Sequence, residues 1–339
     1  MSLNIINPFQ KFASGGAIIP FYQELGRYTA SGTTDTLDVS SFASKPYLMI
    51  LDHAIPSGVC SDKMTYNGVS SSDYATRDSG NGGGDGTNAP NPNITLNYTS
   101  DDNQRFVVGF MDNPADYEKL GVFWTNQASG TASDDIPNRT EVAGKYAETS
   151  NRITRITDTN DKAGDFDTGS ELVVLGYDPA NDTSDQSNFW ELLASDGGAK
   201  EELTSGTLTA KKYYFVMFGQ YSNVQCRIRL NDDSSANYCL RRNEDGTERT
   251  EVDQNEWRTW NNGSAVGRQV AMFIVNVASQ TKLMQYWVNE SSATGNNNIN
   301  SMEGAGMWDN ASDAVTKISF DSDGGTLDSN SFLQVWGAN

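Results

Sequence analysis

His53 is the only imidazole in a chain of 339 residues, so any Ser–His–Asp relay must run through it. No G-x-S-x-G turn accompanies it, and Gly219 occupies the corresponding place in the second half of the chain. His53 therefore reads as a packing or surface residue. Carboxylates are plentiful, 44 against 24 Lys and Arg. Glycoside hydrolysis needs two of them across a cleft, but spacing singles out no pair. The run DTNDKAGD (158–165) places carboxylate and amide oxygens at alternating positions, and FDSDGG (320–325) is its counterpart. Such oxygens are what calcium takes, which makes Asp158, Asp161, Asp321 and Asp323 candidate Ca2+ ligands. Lys162 fills a ligand position and no glutamate closes the loop, so acidic turns are the simpler expectation and no cofactor is required. Trp257, Trp260, Trp308 and Tyr98 fall on long polar stretches. There they could stack on sugar faces while Asn and Asp bind hydroxyls.

Other chemistries find no support. No Cys/His spacing suits zinc, and GNGGGDG (80–86) lacks the strand and helix of a phosphate loop. Cys60, Cys226 and Cys239 are too few and too odd in number for a disulfide framework; they read as buried free thiols in a chain folded in a reducing cytoplasm. A net charge of −20 and a pI near 4.3 argue against nucleic acid, which needs a basic footprint, and against anionic membranes. No apolar run approaches the roughly 18–20 residues of a membrane-crossing helix.

The elements that must position these residues are announced by a repeat. RFVVGFMDNPADYEKLGVFWTN (105–126) aligns without a gap on RQVAMFIVNVASQTKLMQYWVN (268–289), with nine of 22 positions identical, among them Arg105/Arg268, Asn113/Asn276, Lys119/Lys282 and Trp124/Trp287. Chance composition gives roughly one or two. Five further blocks keep their order while the offset drifts from 166 to 161, as expected when only loops gain or lose residues. The division is a first copy over 21–177, a polar linker over 178–188 and a second copy over 189–339, with residues 1–20 an arm outside the repeat. That arm lacks the pattern of a signal peptide; it is expected to be a loose terminus or a docking segment.

Apolar runs such as YLMIL (47–51), FVVGFM (106–111), YYFVMF (213–218) and VAMFIV (270–275) are short and rich in β-branched or aromatic residues. None sustains a helical period. Short strands separated by polar loops predict an all-β chain of two tandem sandwiches of the jelly-roll kind. Segments 78–92 and 291–314 are expected as exposed end loops. Lys119 and Lys282, opening a strand in each copy, are expected on solvated edges, and Trp124 and Trp287 in the core or on a sheet face.

The second copy carries WELLAS (190–195), LTAKKYYFVMF (208–218), RLNDDSSANYCLRR (229–242) and TKISFDSDGGTLDSNSFLQVWG (316–337). In these motifs it resembles a jelly-roll module of structural proteins of tailed phages and other marine viruses. The first copy departs more, with GGGDG in its turn. The resemblance implies a non-enzymatic virion protein, a knob, capsid decoration or fibre subunit, and carries over no active site. Its implied partners are other virion proteins (capsid, portal or tail) and further copies of itself as a homo-oligomer, because two similar sandwiches in one chain mimic an oligomeric contact. Its implied place is the virion surface. The alternative expectation is a carbohydrate-binding adhesin that uses the tryptophans named above on glycans.

Overall fold

The computed structural model describes residues 22–181, 189–220, 224–258, 267–291 and 299–339. The first half contributes twelve strands: β1 Gln23–Thr29, β2 Thr36–Val39, β3 Tyr47–Ala54, β4 Lys63–Tyr66, β5 Tyr74–Gly80, β6 Gly86–Asn91, β7 Ile94–Thr95, β8 Arg105–Asp112, β9 Lys119–Gln127, β10 Asn138–Tyr146, β11 Ile156–Thr159 and β12 Glu171–Tyr177. The second half contributes β13 Glu191–Gly197, β14 Glu202–Thr204, β15 Tyr213–Gln220, β16 Cys226–Leu230, β17 Tyr238–Glu244, β18 Thr247–Gln254, β19 Trp257–Arg258, β20 Gly267–Val275, β21 Lys282–Ser291, β22 Ile299–Trp308, β23 Ile318–Ser322 and β24 Phe332–Ala338. The protein is all-β, with four antiparallel sheets.

In the first half, an eight-stranded sheet runs β1-β12-β3-β8-β9-β10-β5-β6 and a four-stranded sheet runs β2-β11-β4-β7. In the second half the orders are β13-β24-β15-β20-β21-β22-β17-β18 and β14-β23-β16-β19. Each second-half order is the first-half order with twelve added to every strand number.

Each half encloses its own core between its large and small sheets. Leu48, Ile50, Val107, Phe123 and Leu172 meet Leu37, Met64 and Ile156 in the first; Val216, Phe218, Met272 and Tyr286 meet Leu203, Ile228 and Phe320 in the second. A third core lies outside both. Met49, Leu51, Phe106, Val108, Val173 and Leu175, from the other face of the first large sheet, pack on Tyr213, Phe215, Met217, Phe273, Val275 and Leu283. The two large sheets therefore stand face to face, covered on both sides. That is why their strands read as continuous apolar runs rather than alternating ones.

At the middle of this contact like residues meet. The rings of Trp124 and Trp287 are 4.9 Å apart, edge to face, and those of Phe110 and Phe273 are 6.4 Å apart. Away from the middle the contact is one-sided. Along β9 the outward residues pass from exposed Leu120 through half-buried Val122 and Trp124 to buried Asn126. Along β21 they run the other way, from buried Leu283 and Gln285 through half-buried Trp287 to exposed Asn289. β8 and β20 repeat the pattern, Phe106 buried against Asp112 exposed and Gln269 exposed against Val275 buried. The closed side carries polar contacts as well. Asn126 Nδ2 donates to the carbonyls of Met284 (2.9 Å) and Gly306 (2.7 Å), Arg241 Nε donates to Pro137 O (2.8 Å), and Arg139 lies 3.2 Å from Glu303.

Three sequence expectations are corrected here. Segment 78–92 is mostly the β5–β6 edge hairpin of the first large sheet, exposed as expected but no end loop. Segment 291–314 is no end loop throughout, because β22 runs through it and pairs with β21 and β17 inside the large sheet. Gly304 and Gly306 make that strand look loop-like, yet a Cβ at either would strike Tyr286 or Met284 and Trp257; the glycines make room for aromatic rings. Lys119 and Lys282 are buried, not solvated. Each ammonium is satisfied by two carbonyls, Tyr117 (2.7 Å) and Glu148 (2.8 Å) for Lys119, and Gln280 (2.7 Å) and Asn310 (2.8 Å) for Lys282. Three donors and no acceptor suit an ammonium to tying loop carbonyls together.

Candidate functional site

The sequence candidates disperse. Trp257 and Trp308 are buried, not displayed. Trp257 Nε1 donates to the carbonyls of Cys239 (3.2 Å) and Met307 (3.3 Å), Trp308 Nε1 donates to Asp233 Oδ2 (2.8 Å), and both rings pack on Tyr238. Their polar flanks misled, since an indole with a partner for its N–H is core material. Trp260 lies outside the described residues. Tyr98 is 46% exposed, but its ring lies against Gly80, so its own chain takes part of the stacking surface.

The four calcium candidates do not form one cage. Asp161 is at the surface, bonded by Ser61 Oγ (2.7 Å) and Lys162 (3.2 Å). Asp321 is held by Arg229 (2.5 Å) and Asp323 by Arg227. Asp158 points the other way, into the first sandwich. The register agrees with the sequence alignment: β11 pairs Asp158 with Met64, and β23 pairs Phe320 with Ile228, so the residue corresponding to Asp158 is Phe320. Among the described residues no group of three or more His, Cys, Asp or Glu is arranged to hold a metal ion. The three cysteines are buried and form no disulfide with one another, as expected.

What Asp158 joins is a site the sequence did not show. Asp52, Asp62, Asp158 and Arg105 are all sealed from solvent inside the first sandwich. β3 aims Asp52 inward between Ile50 and Ala54, β11 supplies Asp158 from the opposite sheet, and Asp62 precedes β4. Arg105 Nε lies 2.5 Å from Asp62 Oδ2, and Asp101 is 3.6 Å from Nη1. One guanidinium thus faces three buried carboxyls, and the oxygens of all three lack an aligned donor. Burial, then repulsion from Asp62, drives the Asp52 carboxyl well above its ordinary range, and Asp158 is driven up by burial and by its two acidic neighbours. Neighbouring buried carboxyls whose oxygens all lack a donor favour the protonated, neutral form. Asp62 is also raised by burial, against the pull of Arg105.

The second sandwich keeps a buried arginine, Arg268 paired with Glu290 at 2.7 Å, but has rings in place of Asp52 and Asp158. By register, Asp52 corresponds to Phe218 and Asp158 to Phe320, whose rings stack at 4.1 Å. The sequence did hold the signal: acidic residues in one half aligned with Phe in the other.

A second polar cluster joins the halves. Glu171 receives Tyr213 OH (2.9 Å), Thr29 Oγ1 (2.5 Å), Arg27 Nη1 (3.1 Å) and Lys212 Nζ (3.2 Å). Burial alone would raise its carboxyl; Lys212, Thr29, Arg27 and Tyr213 together hold it below the ordinary value. His53 sits beside this cluster, buried, its Nε2 2.8 Å from Gln104 Nε2. Burial and the Lys212 charge push the imidazole well below its usual pKa, so it is neutral and packed, as the sequence suggested. Two shallow polar depressions adjoin at one end of the first sandwich, around Asp38, Asn67, Arg152 and Arg155. Their central amide, Asn67, is already committed to Thr154 N (2.9 Å) and Arg152 O (3.2 Å).

No family model and no curated protein matches the chain. Solved structures to which it is similar include Neisserial surface protein A (9% identity, covering 82% of this chain and 99% of that one, TM-score 0.15). Another is Ail, the attachment invasion locus protein of Yersinia pestis (6% identity, 78% and 99% covered, TM-score 0.13). With scores that low, neither likeness bears on the fold or function of this chain.

Proposed function

We propose that the chain is a non-enzymatic structural protein of a virion, two fused jelly rolls that form a surface knob, capsid decoration or fibre subunit. The observation that carries this reading is the strand order. An eight-stranded jelly roll wraps its chain so that one sheet runs 1-8-3-6 and the other 2-7-4-5, two interlocked Greek keys. Numbering β2, β3, β4, β5, β6, β7, β10 and β11 from one to eight reproduces both orders, with the hairpin β8–β9 inserted between the second and seventh strands and β1 and β12 added at the edge. The second half does the same, which supports a duplication. What the halves share is scaffold: Asn67 and Asn231 close the same turn through their amides, Tyr74 and Tyr238 brace the same strand, and Lys119 and Lys282 tie the same loops.

Such a protein works by shape and assembly. Its partners are capsid, portal or tail proteins and copies of itself, it sits on the particle surface, and it needs no cofactor. The test is co-sedimentation of the full chain with purified particles, beside a variant lacking residues 1–20. Stoichiometric binding by the full chain, lost on deletion with an unchanged melting temperature, supports the reading. A full chain that stays in the supernatant of particles stripped of it sinks it.

A further inference from the structure

We infer that a second copy of this chain docks on the exposed end of the first large sheet around Leu120, presenting the exposed end of its own second large sheet around Asn289. This deepens the assembly reading above and rests on the halves being duplicates. A twofold contact buries corresponding residues equally, whereas a head-to-tail contact leaves one half of each complementary pair unused. Leu120 corresponds to Leu283 and Asn126 to Asn289 at one constant offset, 163. Leu283 is buried and Leu120 is 55% exposed; Asn126 is buried and Asn289 exposed. The contact within the chain is therefore head to tail. Its rotation axis passes near Trp124 and Trp287, where like meets like, and one unused surface of each kind remains.

The unused surfaces keep the chemistry of the used ones. Around Leu120 stand half-buried Val122 and Tyr47 and, in the adjoining turn, Tyr117, 73% exposed. Leu120 and Tyr117 are two of the four large apolar side chains exposed among the described residues. Asn126 reaches the carbonyls of Met284 and Gly306, which are paired across β21 and β22. Their counterparts, Gly121 and Gly144, are paired in the same way across β9 and β10. The partner's Asn289 is an amide retained at an exposed position, and in the docked pair it donates to the Gly121 and Gly144 carbonyls. Repeating this step about one axis builds a ring if the rotation closes and a filament if it does not.

Sedimentation velocity of the full chain, Leu120→Arg and Asn289→Arg tests this at moderate salt, which screens the acidic surface. The parent should form species beyond the monomer. Each variant alone should be monomeric, its association weakened about tenfold or more, with melting temperatures matching the parent. An equimolar mixture of the two should give a heterodimer and nothing larger, because each retains the surface the other lacks. A monomeric parent, variants that assemble like the parent, or either variant pairing with itself would overturn the inference. Particle binding that fails while the mixed variants still pair would remove the virion reading and leave this one standing.

Discussion

Asp52 and Asp158 are conspicuous because their counterparts, Phe218 and Phe320, show what the site looks like without these carboxyls. A buried carboxyl whose pKa is raised on folding binds its proton more tightly in the native state. Its contribution is fully present below the unfolded value, near 4, and is lost as pH rises through the raised folded value. The first sandwich should thus weaken from weakly acidic toward alkaline pH, by about 1.4 kcal/mol for every tenfold by which folding tightens proton binding. Asp52→Asn with Asp158→Asn keeps the shape and removes the titration. Denaturant melts from pH 5 to pH 9 should show a falling stability in the parent and a flatter profile in the double variant. Equal slopes would mean that the pair does not hold its proton. Lys282 is a second residue-scale case. Burial lowers its ammonium to about 8, yet two carbonyls depend on it. Lys282→Met should cost about 1–3 kcal/mol by stranding them, measured by chemical denaturation; a neutral result would mean that water replaces the amine. Sequence alone misread these lysines, because a charge opening a strand is usually solvated, and repetition in both copies was the clue that the charge has a fixed partner.

At the scale of elements, the sequence placed the apolar strands, since these depend on local pattern. It did not show that the outer face of each large sheet is covered, although runs such as Tyr213–Phe218, with no polar residue on either face, are what two-sided burial demands. Nor could it show Asn126, whose amide bonds two carbonyls 158 and 180 residues away. β9 and β10 are held to β21 and β22 by that amide, by the tryptophan pair and by Arg139. Asn126→Ala deletes two cross-sheet bonds at a buried position and should destabilise the contact by about 1–2 kcal/mol. The same change at Asn289, which is exposed and makes no such contact among the described residues, should leave the monomer's melting temperature unchanged. Differential scanning calorimetry on both variants measures the contrast, and equal losses would contradict the one-sided contact.

For the whole molecule, the third core decides how the halves behave together. Each half has a core of its own, so each could unfold alone. But separation would expose Met49, Leu51, Phe106 and Val108 on one side and Tyr213, Phe215, Phe273 and Leu283 on the other, at about 25 cal/mol per Å² of apolar surface. That penalty should couple the halves into one transition. Tryptophan distribution supplies the probe, since six of the seven tryptophans lie in the second half and only Trp124 in the first. Fluorescence therefore follows the second half, while circular dichroism follows the strands of both. In the parent the two signals should melt at the same urea concentration, the mark of a single cooperative unit. Trp124→Ser leaves the first sandwich's inner core intact, because Trp124 packs outward on Trp287 and Phe110. It removes the centre of the contact, and an aromatic pair contributes about 0.5–1.5 kcal/mol beyond its buried area. The curves should then separate, with the half that carries Asp52 and Asp158 melting first and the gap widening as pH rises, since the carboxyls raised furthest on folding lie in that half. Coincident curves in the variant at every pH would mean that the coupling lies elsewhere along the contact, in the Glu171 cluster or the 128–137 loop, rather than at the meeting of like residues.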